Sequence, residues 1–133
     1  MDVYIDPENM FVGSFIGSPA MNFIEGQIDN RMFRSAGVEI DISDLEYLDD
    51  NYPTIILGVR PEDIQIGGGP TMAELIVAEP LGNETILHLQ IGKSTVVARV
   101  TASINEKPGA RLPVKLAPEK ILFFNKDSKK RIK

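Results

Sequence analysis

Turn signals recur too often along this chain for it to be built from long helices. Pro61-Glu62, Gly67-Gly68-Gly69-Pro70, Lys107-Pro108-Gly109-Ala110 and Pro118-Glu119 interrupt the second half at short intervals. Glycine and proline are poorly accommodated inside regular elements, so each cluster marks a connection. Between them lie short apolar or alternating runs at residues 54–59, 72–79, 86–91, 96–100, 111–116 and 121–124. Runs of this length, rich in valine, isoleucine and leucine, are read as strands, with 54–59 buried on both faces. Residues 21–34 and 38–42 continue the strand-like pattern more loosely. The implied fold class is all-β: a small barrel or sandwich with two short helices.

The two helices are expected at specific places. Asp6-Pro7-Glu8 supplies an N-cap, a proline at the first helical position and an acid in the first turn. Met10, Phe11, Phe15 and Ile16 then give an apolar stripe, ended by Gly17-Ser18-Pro19. Ser43-Asp44-Leu45-Glu46 reads as a capping box, so a short surface helix carrying Leu45 and Leu48 is expected before Asn51-Tyr52-Pro53. Gly67-Gly68-Gly69-Pro70 is expected to be a mobile hairpin connection. It leads into the strand-like run from Met72 to Glu79, where a phosphate cradle would lead into a helix.

Composition narrows the function classes. The 133 residues suffice for a single core, and 43% hydrophobic with 25% charged residues is an ordinary folded balance. No apolar run approaches the roughly 20 residues of a membrane span. The opening Met1–Met10 stretch has no basic region and is not read as a secretory signal. With no cysteine, disulfides and thiolate metal sites are excluded. A net charge of −5 argues against a general nucleic-acid binder, which needs a basic face. Charge is uneven: six acids and no base lie between Glu39 and Asp50, whereas Lys126 to Lys133 holds five bases and one acid. That basic tail is expected to be solvated and frayed.

One stretch does suggest nucleotide chemistry. Gly92-Lys93-Ser94-Thr95 looks like the end of a phosphate-binding loop. Such a loop needs a glycine five positions before the second one, and position 87 is Leu87. It must also lead into a helix, but Thr95, Val96 and Val97 are β-branched and alternate onward. The stretch is therefore the turn of a β-hairpin, with Lys93 facing solvent. No Walker-B strand or serine-glycine-glycine signature is found. His88 is the only histidine and sits in mid-strand, without partners for a triad or a metal site.

A family resemblance rests on other residues. Phe15-Ile16-Gly17-Ser18-Pro19-Ala20-Met21-Asn22-Phe23 resembles the boundary motif of ATP-binding subunits of maltose- and glycerol-3-phosphate-type carbohydrate importers. Leu57-Gly58-Val59-Arg60-Pro61-Glu62-Asp63-Ile64 is similar to the family's arginine-proline-glutamate segment. Residues 77–85 with Leu87-His88-Leu89 are similar to its next block, and Gly109-Ala110 with 118–124 to its closing strands. Ile121 stands where the family commonly has a histidine, and Ser128-Lys129-Lys130 replaces its usual threonine-glycine.

The resemblance implies that residues 1–17 are the last helix of a nucleotide-binding domain. Residues 18–133 would form a transport-associated OB-type (TOBE-like) or MOP-like β-barrel that regulates the transporter and stabilises its dimer. No cofactor is expected in this chain; ATP and Mg belong to the nucleotide-binding domain upstream. Implied partners are a second copy of the subunit and, through that upstream domain, the transmembrane permease subunits. In some members a sugar-phosphotransferase regulatory protein also docks here; nucleic acid is not expected. The implied location is the cytoplasmic side of the cell membrane.

Candidate regulatory or interface residues are Phe23, Arg60, Glu62, Glu79, Leu81, Gly82, Glu84, Gly109 and Phe124. Arg60 with Glu62 could hold a loop by bidentate pairing or reach across a dimer. Glu79, before a proline and a tight turn, could be an exposed recognition charge or simply a strand-end acid. Phe23 and Phe124 could belong to a docking surface or to the core. The alternative function is a small oxyanion-binding barrel using Gly92-Lys93-Ser94-Thr95.

Overall fold

The computed structural model describes residues 21–133, and the expected N-terminal helix and the 1–17 segment lie outside the described residues. The described chain is all-β, arranged as two antiparallel sheets over one core. The strands are β1 (Asn22–Asp29), β2 (Met32–Ser35), β3 (Val38–Asp41), β4 (Tyr52–Val59), β5 (Ile64–Pro80), β6 (Thr85–Ile91), β7 (Ser94–Val100), β8 (Arg111–Leu116) and β9 (Leu122–Phe124). The first sheet runs β3-β2-β1-β4-β9 and the second β7-β6-β5-β8. Short 3-10 turns at Pro61–Asp63 and Pro118–Lys120 each begin at a proline, whose fixed φ suits a first turn.

Alternation in the strands fills the space between the sheets. Ile24, Ile55, Leu57 and Phe123 from the first sheet meet Leu75, Leu87, Leu89 and Ile91 from the second, and all are essentially inaccessible to solvent. Burying each such side chain contributes about 1.5–3 kcal/mol before entropy is counted. The expectation that 54–59 is covered on both sides holds from Ile55 to Val59. There the outward-facing Ile56 joins Met21, Leu122 and Phe124 in a second, smaller apolar cluster.

Asn22, at the start of β1, joins the first sheet to β7, the edge strand of the second. Its amide donates to the carbonyl of Val97 on β7 at 2.8 Å, and its side-chain oxygen accepts the Val97 N–H at 2.8 Å. A buried amide that satisfies both groups of a facing strand residue imitates one rung of a ladder. It also donates to the Val59 carbonyl at 3.3 Å. Hydrophobic periodicity does not mark this residue, although it lies within the boundary motif at residues 15–23.

Three expectations are corrected. Residues 43–48 form no helix. Arg31, at the positive-φ turn between β1 and β2, donates from its guanidinium to the carbonyls of Ile42, Ser43, Leu45 and Leu48. Of backbone amides, the Ile42 and Leu45 carbonyls accept only those three residues on, from Leu45 and Leu48, so the segment closes as two successive turns around one cation and not as a helical ladder. The Ser43 amide and hydroxyl go to Asp41 and hold its carboxyl below the usual carboxylate range. Gly67–Pro70 is not a hairpin connection but a bulge inside β5, since Ile66 and Thr71 both pair with Val114. Gly69 is required there, because a Cβ would stand 1.8 Å from the Val114 oxygen. The basic tail is folded: Phe124 bridges to Arg131, and Asn125 accepts the amides of Asp127 and Ser128.

Candidate docking surface

The β6–β7 hairpin turns in two residues, with Ile91 opposite Ser94, as expected for Gly92-Lys93. Gly92 has φ +58 and lies against the β2–β3 turn so tightly that a Cβ would meet the Ala36 oxygen at 1.8 Å. Gln90 donates to the Gly92 carbonyl at 3.0 Å and accepts from the Thr95 hydroxyl at 3.0 Å. The glycine thus serves a turn and a close packing contact, and the threonine hydroxyl is engaged within the hairpin. This arrangement does not favour the oxyanion alternative.

Four of the sequence-derived candidates gather where β5 turns into β6. The ladder slips between Leu75 and Val77, a bulge that brings both Ile76 and Val77 to the outer face. They are 43% and 42% exposed, and Met72, beyond Glu74 on the same side of β5, is 39% exposed. A bulge re-aims side chains in this way, and exposing two successive apolar residues is its consequence. Past it, Glu79 pairs in register with Ile86 and Pro80 with Thr85. The turn is closed by the Leu81 N–H donating to the Glu84 carbonyl at 2.8 Å, with Gly82 at φ +79. Leu81 is 56% exposed at the tip. Glu79 lies 2.5 Å from His88 Nε2, and Glu84 stands 3.9 Å from Arg99. An apolar ridge is therefore rimmed by two acid–base pairs, the anatomy of a protein-binding patch.

The other candidates lie elsewhere. Arg60 caps the Pro61–Asp63 turn and Glu62 is its middle residue. Burial pushes the neighbouring Asp63 carboxyl above the usual range, with the Glu62 charge adding to it. Gly109, at φ +96, donates its amide to the Leu75 carbonyl at 2.7 Å and so fixes the start of β8 against β5. Phe124 is fully buried and meets half-buried Phe23 edge-on at 5.6 Å. Both belong to the second apolar cluster, so Phe124 is a packing residue. Among the described residues no group of acids and histidine is placed to hold a metal ion, and no helix is long and apolar enough to cross a membrane.

Comparison with known proteins places this fold. A model of the MalK OB fold domain matches residues 17–64, and a model of the TOBE domain matches residues 57–124. Oligosaccharides import ATP-binding protein MsmX of Bacillus subtilis is 34% identical over 145 residues, covering 99% of this chain and 40% of that protein. Multiple sugar-binding transport ATP-binding protein MsmK of Streptococcus mutans is 33% identical, over 99% of this chain and 39% of its own. Sulfoquinovosyl glycerol transport ATP-binding protein SmoE of Agrobacterium fabrum is 28% identical, over 98% and 38%. The chain thus spans about two fifths of the length of these curated relatives.

Proposed function

Because this chain belongs to the TOBE domain family, with a MalK-type OB fold ahead of the TOBE match, we propose that it is the regulatory, dimer-stabilising part of a carbohydrate importer's ATP-binding subunit. ATP and Mg are used by the nucleotide-binding part of such a subunit, and this chain turns over no ATP by itself. Its partners are a second copy and, through the nucleotide-binding part, the permease subunits on the cytoplasmic side of the membrane. A sugar-phosphotransferase regulator is a further partner in the same scheme.

The observation that carries the reading is the ridge of Met72, Ile76, Val77 and Leu81 with Glu79 and Glu84 at its rim. A small barrel gains nothing in its own stability from apolar side chains held in water. Covered by a second copy, the same side chains would add to an interface of about 1,000–1,600 Å² in total. Sedimentation and an ATPase assay on the purified chain test this. Self-association without ATP turnover is expected; saturable hydrolysis overturns the catalytically silent reading.

A further inference from the structure

Among the described residues the first sheet ends at β3, which pairs with β2 alone, with one side of that strand unpaired. The Ile42 N–H donates to the Arg31 carbonyl, and pairing runs antiparallel from Ser35–Val38 to Met32–Asp41. In such a ladder alternate residues turn their backbone groups toward the partner. Val38, Ile40 and Ile42 therefore face β2, while the N–H and C=O groups of Glu39 and Asp41 point away from it. What they border is a cleft of about 550 Å³, lined by Met32, Ser35, Val38, Glu39 and Asp41 on one side and by Pro70 and Thr71 on the other.

The far wall is the end of the glycine bulge. Gly69 packs onto the Val114 backbone and Thr71 re-enters the ladder with Val114, so the bulge is held to β8 rather than to β3. The opening between β3 and β5 is thus a consequence of a built feature. Its rim is acidic. Glu39 is exposed and bonded through one oxygen to Arg34 at 2.6 Å, and Asp41 is exposed and bonded through one oxygen to Ser43. They begin the run from Glu39 to Asp50 that contains six acids and no base.

We propose that this cleft takes an extended, basic peptide segment of a partner protein as an added strand on β3. Backbone groups of Glu39 and Asp41 supply the ladder, and alternate lysine or arginine side chains meet the two carboxylates. The remaining alternate side chains, small and apolar, lie on the face of Val38 and Ile40, opposite the carboxylates. This strand-addition site is independent of the β5–β6 ridge, which lies on the other sheet.

The test is a titration of the purified chain with a short peptide of alternating lysine and valine, followed by calorimetry and amide NMR. Saturable binding is expected, with shifts at Val38–Asp41 and at 67–71. The same peptide, N-methylated on alternate backbone nitrogens, should bind about tenfold more weakly or not at all, since it cannot donate to the edge. Glu39→Pro removes an N–H that β2 does not use and should abolish binding, while Glu39→Ala keeps the N–H and retains weaker binding. Absence of binding, equal binding of the N-methylated peptide, or shifts confined to other surfaces overturns the proposal. So does a β3-to-β3 homodimer that Glu39→Pro disrupts. If Glu39→Pro fails to fold, the N-methylated peptide against the unaltered chain decides.

Discussion

On the first sheet the outward side chains of β1, β4 and β9 close over one another, whereas on the second the outward side chains of β5 remain in water. Met21, Ile56, Leu122 and Phe124 are buried on the side of their sheet away from the main core, with Phe23 packed against them. Met72, Ile76 and Val77 occupy the corresponding side of β5 and stay about two-fifths exposed. The β5 face also carries Glu74 and Glu79 beside Gln90, His88 and Arg111, so its apolar side chains stand among polar ones, which the first face lacks at its centre. One face has been completed within the chain, by β9 and the residues that start β1. The other has been raised by a bulge and stays exposed. An outer apolar face in this fold is part of the packing in one place and exposed in the other, where the proposal above puts a second copy.

The largest effect should come from breaking the completed face. Phe124→Ala removes a fully buried ring from the second cluster. It should cost about 3–5 kcal/mol in denaturant unfolding, as large-to-small core substitutions do. Next is the seam that holds the two sheets together. Asn22→Ala leaves both backbone groups of Val97 without their side-chain partners. A loss of about 1–3 kcal/mol per buried group left unsatisfied is expected, read from the same transitions. Val77→Ser, on the open face, should move stability by no more than about 0.5 kcal/mol while weakening self-association. If Val77→Ser destabilises the fold as much as Phe124→Ala, the contrast between the faces disappears.

The smallest effects concern pH, and two acids should give opposite signs. Ser43 holds the Asp41 carboxyl below its usual range, so its contribution is present above the unfolded-state pKa and is lost as pH falls through the folded one. Asp41→Asn should flatten the acid limb of the stability profile. Burial raises the Asp63 carboxyl, so stability falls as pH rises from the ordinary value through the raised one. Asp63→Asn should remove that fall. Thermal unfolding read at strongly acidic pH, below the ordinary aspartate value, for Asp41 and from that value upward for Asp63 separates the two, and equal slopes for the two variants would contradict the assignments.

Strands and hairpins are legible in the sequence because their information is local. The β6–β7 turn is implied by two alternating runs separated by Gly92-Lys93, and the structure adds only what the glycine packs against. The failures come from contacts distant in sequence. Ser43 to Glu46 has the local form of a helix start, but Arg31 reaches across 11 to 17 residues to take the carbonyls of that segment. Glycines 67–69 look like a connection until Val114 is brought within reach of Gly69, when they become a bulge. The tail reads as a charged end, yet Asn125 and Phe124 fold it back. In the docking surface, Glu79, Leu81, Gly82 and Glu84 can be found together because they are neighbours in sequence. Ile76 and Val77 cannot, since their exposure depends on a slip in register that alternation alone does not reveal.

The central claim is that the β5–β6 face is where a second copy completes the domain. Sedimentation equilibrium of the chain and of Val77→Glu, across a wide concentration range, tests it most directly. A reversible dimer is expected for the unaltered chain and a monomer of unchanged fold for the variant. A monomer in both cases, or a dimer that Val77→Glu leaves intact, would contradict it.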